Sequence, residues 1–256
     1  NTLTIGGKNT NFEFKGSING SNVIKTGTGV WTISSADVLA NAKSLKIIDG
    51  AVKLNNETAT SSMTSPTVLY VQDAGELRGK GCVYGINLLS GGILRAGINL
   101  PTAQTTNVGV ISILRNLNAE EGSSLYVNKN RADSLYTNPY TGAASVSWAY
   151  FKVAGNAIVN GTIYVTYNSK LWTPAEGDYI RVLDCKGTIS GNPTFEFQAL
   201  PAGLTWDTSK FLATGTVYVA NATGITEIGM GGSFKADVYT INGFKLTSLE
   251  TTQATL

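Results

Sequence analysis

The sequence predicts an all-β protein whose strands stack as a right-handed parallel β-helix, a solenoid with irregular coil lengths and a β-rich closing segment. Apolar and polar residues alternate over many short stretches, which is the pattern of strands. Gly is abundant at 29 residues, and together with Asn, Ser and Thr it favours tight turns. A strand–turn–strand unit also recurs at intervals of roughly 17 to 31 residues, which is typical of solenoids.

The first strands follow from this alternation, which begins at Leu3 in TLTIGG and continues through NFEFKGSI and NVIKTGTGVWTIS. Helical patterns are almost absent. Ser35 is suited to cap a short helix over Asp37 to Ala42. Because strand character returns at Lys46, we interpret this stretch as a single helical turn at a bend.

The repeated unit is clearest in KIIDGAVKL, YVQDAGELRG and NLLSGGILRAG, whose turns open at Asp49, Asp73 and Ser90. Degenerate copies follow at 119–128 and 153–165. Small turn residues let two strands leave in different directions, and stacked turns let each strand pair with its counterpart one coil away. The predicted inward-facing residues are Ile47, Val52, Leu54, Leu69, Val71, Leu77, Leu88 and Leu94.

Composition limits the classes of function. The 256 residues carry a net charge of +2 with 14% charged residues, which favours neither nucleic acid nor an anionic membrane as partner. No run approaches the roughly 18 apolar residues of a membrane helix, so we predict no membrane insertion by this chain. The chain begins at Asn1 rather than Met, and we expect a preceding segment to have been removed.

Catalysis is not expected, because the chain has 0 histidines and its 17 carboxylates are scattered. We predict no catalytic residues, cofactor or metal. A lyase-like arrangement would stack Asp49 and Asp73 beside Arg78 and Arg95, but we favour turn-forming aspartates and solvated arginines. The two cysteines, Cys82 and Cys185, have no metal or redox spacing; they are either two buried thiols or a disulfide.

A long insertion in 128–151 is the predicted contact surface. Asn138 precedes a proline in a turn that would present Tyr136 and Tyr140 on either side of its tip, with Arg131 nearby. Exposed aromatic faces can stack on sugars, and Asn and Arg can donate hydrogen bonds. The tip is therefore predicted to contact a glycan or a partner protein. Packing of these aromatic residues against the solenoid is the alternative.

A family resemblance rests on VIKTGTGVWTISS followed by LKIIDGAVKLNN. These segments resemble the autotransporter-associated β-strand repeat, with matching residues Lys25, Thr26, Gly27, Gly29, Trp31, Gly50, Ala51, Val52 and Leu54. Between them this chain has DVLANAKS where the family has a Tyr-Thr-Gly-Gly-Thr stretch. The resemblance implies a passenger-type β-helix of a bacterial surface protein.

The closing segment, 177–219, is similar to the end of many such surface proteins. The matching residues are Gly177, Leu183, Gly191, Leu200, Pro201, Trp206, Asp207, Gly215 and Val217. The tail resembles the start of a small C-terminal module of secreted Bacteroidetes proteins, with Val238, Tyr239 and Gly243 matching. This implies a partial sorting-type module.

These inferences define two regions and one function. Residues 1–224 are predicted to form the passenger-type domain, and 225–256 a Gly-rich joint with a partial β module. We expect a non-catalytic structural or adhesive segment, secreted or attached at the cell surface, whose partners are glycans or another surface protein. The alternative is an extracellular polysaccharide-binding or polysaccharide-lyase-like β-helix.

Overall fold

The computed structural model describes residues 1–39, 41–55, 67–97, 109–130, 136–137, 144–145, 148–222, 234–239 and 245–251. The chain divides into two compact units, Asn1–Asn221 and Ala222–Leu256. Each unit is built from strands, in agreement with the predicted all-β class.

The strands of the first unit are β1 (Thr2–Ile5), β2 (Phe12–Glu13), β3 (Asn22–Lys25), β4 (Val30–Ile33), β5 (Ser44–Ile47), β6 (Ala51–Asn55), β7 (Val68–Val71), β8 (Glu76–Val83), β9 (Gly85–Leu88), β10 (Ile93–Ala96), β11 (Gly109–Ile113), β12 (Leu117–Ala119), β13 (Ser124–Lys129), β14 (Tyr136–Thr137), β15 (Ala144–Ser145), β16 (Trp148–Val153), β17 (Ala157–Val159), β18 (Thr162–Tyr167), β19 (Tyr179–Arg181), β20 (Leu183–Cys185), β21 (Ile189–Ser190), β22 (Thr194–Phe197), β23 (Leu204–Asp207) and β24 (Thr216–Asn221). Two short helices accompany them, a 3₁₀ helix at Ala36–Leu39 and α1 at Phe211–Thr214.

Sheet A contains eight strands in the order β1-β3-β5-β7-β9-β12-β17-β21. Its strand pairs are parallel, and the register aligns equivalent positions of successive repeats: Val23 pairs with Leu45, and Leu45 with Leu69. Each strand therefore pairs with its counterpart in the neighbouring repeat, as the recurring unit predicts.

Sheet B contains 11 strands, and most of its pairs are parallel. The long strand β8 pairs with two different strands along one edge. Its first part, Glu76–Gly79, pairs with β10, and its last part, Gly81–Val83, pairs with β11. Gly79 is the last residue of β8 that pairs with β10, and its φ is 114°. A Cβ there would collide with the carbonyl oxygen of Leu54, so glycine permits the close approach of the strands. A separate parallel series, β8-β11-β16-β20, begins at this point.

The core lies between the sheets. All eight predicted inward-facing residues are buried, with exposures of 0 or 1%, so this prediction is confirmed. The reason is the strict alternation of strands, which sends every second side chain to the same face. Rows of aliphatic side chains from successive strands then pack on one another in one continuous core.

Two local predictions need adjustment. The predicted helical turn is present, but as a 3₁₀ helix at Ala36–Leu39, slightly before the predicted span. The closing segment 177–219 is β-rich as expected, yet β20, β21 and β22 still extend the parallel series. Only β19, β24 and β23 form a separate antiparallel sheet, the closing sheet, next to α1 in sequence.

The second unit contains an antiparallel hairpin of β25 (Phe234–Tyr239) and β26 (Lys245–Thr251). Its register shifts between Val238 and Tyr239, which marks an irregularity in the pairing. Gly243, which matches the C-terminal module of secreted proteins, lies outside the described residues.

Candidate functional site

A row of polar and aromatic side chains crosses the outer face of sheet B. Paired positions on successive strands place the members of this outer row in the order Lys53, Arg78, Arg95, Tyr126, Tyr164 and Glu196. Neighbouring strands lie about 4.8 Å apart, so side chains at paired positions can contact their neighbours.

One carboxylate holds both arginines of the outer row. Arg95 Nε donates to Glu76 Oε1 at 2.7 Å, and Arg78 Nη1 lies 3.3 Å from Glu76 Oε2. The three side chains are 13 to 17% exposed. The expectation of solvated arginines is therefore wrong. Glu76 lies two residues before Arg78, on the same face of β8, and this places its carboxylate within reach of both guanidinium groups.

Two tyrosines continue the row as a stack. The Arg95 guanidinium carbon lies 3.9 Å from the Tyr126 ring centroid. The rings of Tyr126 and Tyr164 are nearly parallel at 6°, with centroids 4.4 Å apart. Burial, followed by the neighbouring Tyr164, raises the pKa of the Tyr126 phenol, although the charge of Arg95 opposes this. The stack is a platform of one guanidinium group and two rings.

A groove of about 290 Å³ opens beside this stack. Arg95, Tyr126, Tyr164 and Glu196 line it, together with polar groups that the strands hold in place: Asn128, Thr166 and Gln198. Thr166 Oγ1 lies 3.1 Å from Asn128 Oδ1, and Gln198 Oε1 accepts from the Tyr167 N–H at 3.0 Å. A concave surface with aromatic walls and a few fixed polar groups is typical of a small-ligand site.

Lys25, in the segment that resembles the autotransporter-associated repeat, is part of the protein core. Lys25 is buried in an inner row of sheet A, between Ile5 and Ile47. Its Nζ donates to the carbonyl oxygens of Thr26 and Gly27, each at 2.7 Å, and of Asp49 at 3.1 Å. Lys25 therefore ties together two successive turns from the inside.

A second buried lysine lies further along the chain. Lys129 Nζ donates to the Tyr179 carbonyl oxygen at 2.7 Å. It also lies 4.3 Å from the Trp172 ring centroid, 5.0 Å from that of Tyr179 and 5.4 Å from that of Trp148. This aromatic cluster resembles a cation-binding cage, but a lysine of the chain itself fills it.

The predicted contact residues fall largely outside the described residues. Arg131, Asn138 and Tyr140 lie there entirely. The backbone of Tyr136 belongs to the short antiparallel pair β14–β15. The ends of the proposed insertion are strands rather than loop, since β13 extends to Lys129 and β16 starts at Trp148. A contact by the tip remains a prediction.

The lyase-like arrangement is only partly assembled. Arg78 and Arg95 pair on neighbouring strands, as that hypothesis requires. Asp49 and Asp73 instead lie in the turns before β6 and β8, and Glu76 is the acid beside the arginines. Within the described ranges, no group of three or more Cys, Asp and Glu side chains is placed to hold a metal ion.

The two cysteines are not joined by a disulfide; Cys82 is buried and Cys185 is half-buried. They lie on β8 and β20, with β11 and β16 between these strands. Three strand spacings amount to about 14 Å, well beyond the reach of a disulfide. Of the two possibilities left open by the sequence, the structure has the separate thiols.

Sequence reasoning missed the tyrosine stack. A signal was available, because β13 and β18 both contain an aliphatic residue, Tyr and Val in succession, at Leu125–Val127 and Ile163–Val165. Alignment of these degenerate repeats would have placed Tyr126 next to Tyr164. The partnership of Glu76 with Arg95 needed the register between β8 and β10, which local sequence does not specify.

No protein-family model matches the sequence, and a search of curated proteins finds no significant similarity. Among the described helices, neither is long and apolar enough to cross a membrane.

Proposed function

We propose that the chain is a passenger-type, right-handed parallel β-helix that acts as a non-catalytic adhesive segment of a secreted bacterial cell-surface protein. The parallel series of strands and the continuous inner rows support the β-helix. Right-handedness follows the general rule for connections between parallel strands of one sheet.

The resemblance to the autotransporter-associated repeat supports the proposed location. Two of its matching residues build the repeat: Lys25 binds the carbonyls of two turns, and Trp31 is buried beneath Phe12 at a centroid distance of 6.0 Å. The tail supports a Bacteroidetes-like surface protein through Val238, Tyr239 and Gly243. The proposed location therefore rests on the sequence resemblance of the repeat and of the tail.

The observation that carries the adhesive function is the outer row beside its groove. Arg95, Tyr126 and Tyr164 form a preordered stack on a sheet, so a ligand need not order it on binding. A surface of this kind suits repeated weak contacts with glycans or with another surface protein.

We propose no catalysis because the two arginines that could serve as bases are paired with a carboxylate. A lyase needs a base that is free to accept a proton from its substrate. Arg78 and Arg95 are instead paired with Glu76. A polysaccharide-binding β-helix is the alternative favoured by the groove, and it shares the same contact surface.

A bead-adhesion experiment tests the proposal. Beads coated with the chain should be retained, saturably, on surfaces carrying polysaccharides or bacterial or host cells. Incubation of the chain with the same polysaccharides should release no reducing or unsaturated ends. Retention on none of the surfaces would overturn the adhesive function. Release of cleaved ends that is lost in Arg95→Ala would establish a lyase instead.

The tip provides a second arm of that experiment. If the predicted contact operates, the double variant Tyr136→Ala, Tyr140→Ala should lose retention while its melting temperature stays near that of the wild type. Normal retention by this variant would exclude the tip and leave the outer row as the contact.

A further inference from the structure

We propose that the groove binds an uncharged pyranose ring of a glycan, stacked on the open face of Tyr164 at the level of β22. This inference rests on the proposed adhesive function and specifies its ligand class and position. It follows from the geometry of the stack of Arg95, Tyr126 and Tyr164, and from the groups that lie next to Tyr164, where this stack ends.

The stack has a direction. The 4.4 Å centroid distance between Tyr126 and Tyr164 is close to the spacing of neighbouring strands, and their planes differ by 6°. The rings therefore stand above one another along the row, with one face of Tyr126 against Arg95 and the other against Tyr164. Only the second face of Tyr164 is left for another ring.

The next position along the row has no ring. Glu196 pairs with Tyr164 there, and it is exposed. Its aromatic neighbours on β22, Phe195 and Phe197, pack against the core, and Phe197 also lines the groove. The step beyond Tyr164 is thus open to a flat, partly apolar ring, and the C–H face of a pyranose fits an aromatic face.

Polar groups border this open step at fixed positions. The Glu196 carboxylate accepts hydrogen bonds from hydroxyl groups. Gln198 is held through its Oε1 by the Tyr167 N–H, which leaves its amide nitrogen as a donor at the groove. A sugar with hydroxyl groups at its edge and C–H groups on its face satisfies both kinds of surface.

The charges select an uncharged sugar. Arg95 is the basic residue lining the groove, and its guanidinium group is engaged by Glu76 at 2.7 Å, a carboxylate that it shares with Arg78. Glu196 adds a carboxylate at the open step, which repels uronate or sulfate groups. An anionic polysaccharide would therefore bind less well than a neutral one.

Isothermal titration calorimetry with neutral trisaccharides tests this inference, using cellotriose, xylotriose, laminaritriose and mannotriose, with trigalacturonate as the anionic probe. At least one neutral trisaccharide should bind, and Tyr164→Ala should weaken it at least tenfold. Tyr164→Phe should retain binding within a few-fold, because the ring face remains. Tyr70→Ala, on the outer face of sheet A, is the matched control and should bind like the wild type.

Each other outcome has a definite meaning. Stronger binding of trigalacturonate than of every neutral probe would overturn the ligand class. Wild-type affinity in Tyr164→Ala would overturn the position. If none of the neutral probes binds while the bead assay still shows retention, this inference fails and the adhesive function stands. If retention is also absent, the adhesive function itself fails. A melting temperature of Tyr164→Ala close to that of the wild type ensures that its loss of binding does not come from a folding defect.

Discussion

The two ends of the parallel series are finished in different ways. At the first end, β1 and β2 are the edge strands, and the apolar side chains Leu3 and Phe14 are 41% and 43% exposed. At the last end, the aromatic side chains of β22 are covered. Phe195 meets Phe211 edge to face at 5.0 Å, and Phe197 stacks on Trp206 at 5.1 Å.

The covered end is built by a change in strand direction. The antiparallel closing sheet joins β19, which precedes β22 in the chain, to β23 and β24, which follow it. The helix α1 places Phe211 over the last parallel strands with an exposure of only 2%. The Trp206 Nε1 donates to the Gln198 carbonyl oxygen at 3.0 Å, which fixes the ring above Phe197. Apolar burial and a hydrogen bond hold this cover together.

At the first end, side-chain amides accept hydrogen bonds from backbone N–H groups. Asn9 Oδ1 accepts from the Thr28 N–H at 3.0 Å, and Asn11 Oδ1 accepts from the Val30 N–H at 2.9 Å. These amides satisfy backbone donors without adding a strand. Sheet edges that lack a cover are sites at which another strand can pair. The comparison shows that the first strands described satisfy backbone donors with side-chain amides, whereas the last ones are covered by apolar side chains.

The largest effect should follow loss of the aromatic cover. Phe211→Ala removes a buried ring and leaves a cavity, so the free energy of unfolding should fall by about 3–5 kcal/mol. Urea denaturation measures this change. Leu212→Ala is the matched control, because Leu212 belongs to the same short helix but is 48% exposed; its effect should stay within about 0.5 kcal/mol. Equal losses in both variants would refute a packing role for the cover.

The second effect concerns the buried lysine near the first end. Lys25→Ala leaves three carbonyl oxygens without their donor and opens a cavity, so a loss of about 3 kcal/mol is expected. Lys46→Ala on the outer face of the neighbouring strand is the control, with an expected change below about 0.5 kcal/mol. A Lys25→Ala variant as stable as this control would show that the turns do not need the amine.

A smaller effect should appear with pH. Burial lowers the pKa of Lys25 below 10.5, although the charge of Asp49 opposes this. Between the lowered pKa of the folded state and 10.5, the unfolded chain binds more protons, so the stability contribution of Lys25 rises with pH. Relative to Lys25→Met, the wild type should therefore gain stability as the pH rises from the lowered pKa of the folded state towards 10.5. A pH-independent difference between the two unfolding curves would contradict this.

The inner rows were predictable because alternation is a local property. Ile47, Leu69 and Leu94 are buried as predicted, because each occupies an alternate position of a short strand whose side chain faces the core. Lys25 lies two residues after Val23 and therefore on the same inward face of its strand. The sequence does not reveal, however, that backbone carbonyl groups surround the Lys25 amine.

The candidate site was harder to predict because it depends on register. Arg95, Tyr126 and Tyr164 come from three separate repeats, and they stack only because β10, β13 and β18 align these positions. The repeat lengths vary, so spacing along the chain does not specify that alignment. The predicted contact residues at the tip, Tyr136 and Tyr140, remain untested.

The smallest effect should occur at the open edge itself. Leu3 begins the inner row that continues through Val23 to Leu45, but it is 41% exposed whereas Leu45 is fully buried. Leu3→Ala should therefore lower the free energy of unfolding by less than about 1 kcal/mol, and Leu45→Ala by about 2–5 kcal/mol. Because the two variants delete the same atoms from the same row, their difference measures how much the position at the edge matters. Urea denaturation of both proteins checks the comparison. If Leu3→Ala were as damaging as Leu45→Ala, the first end would be covered in solution, and the contrast between the two ends would not hold.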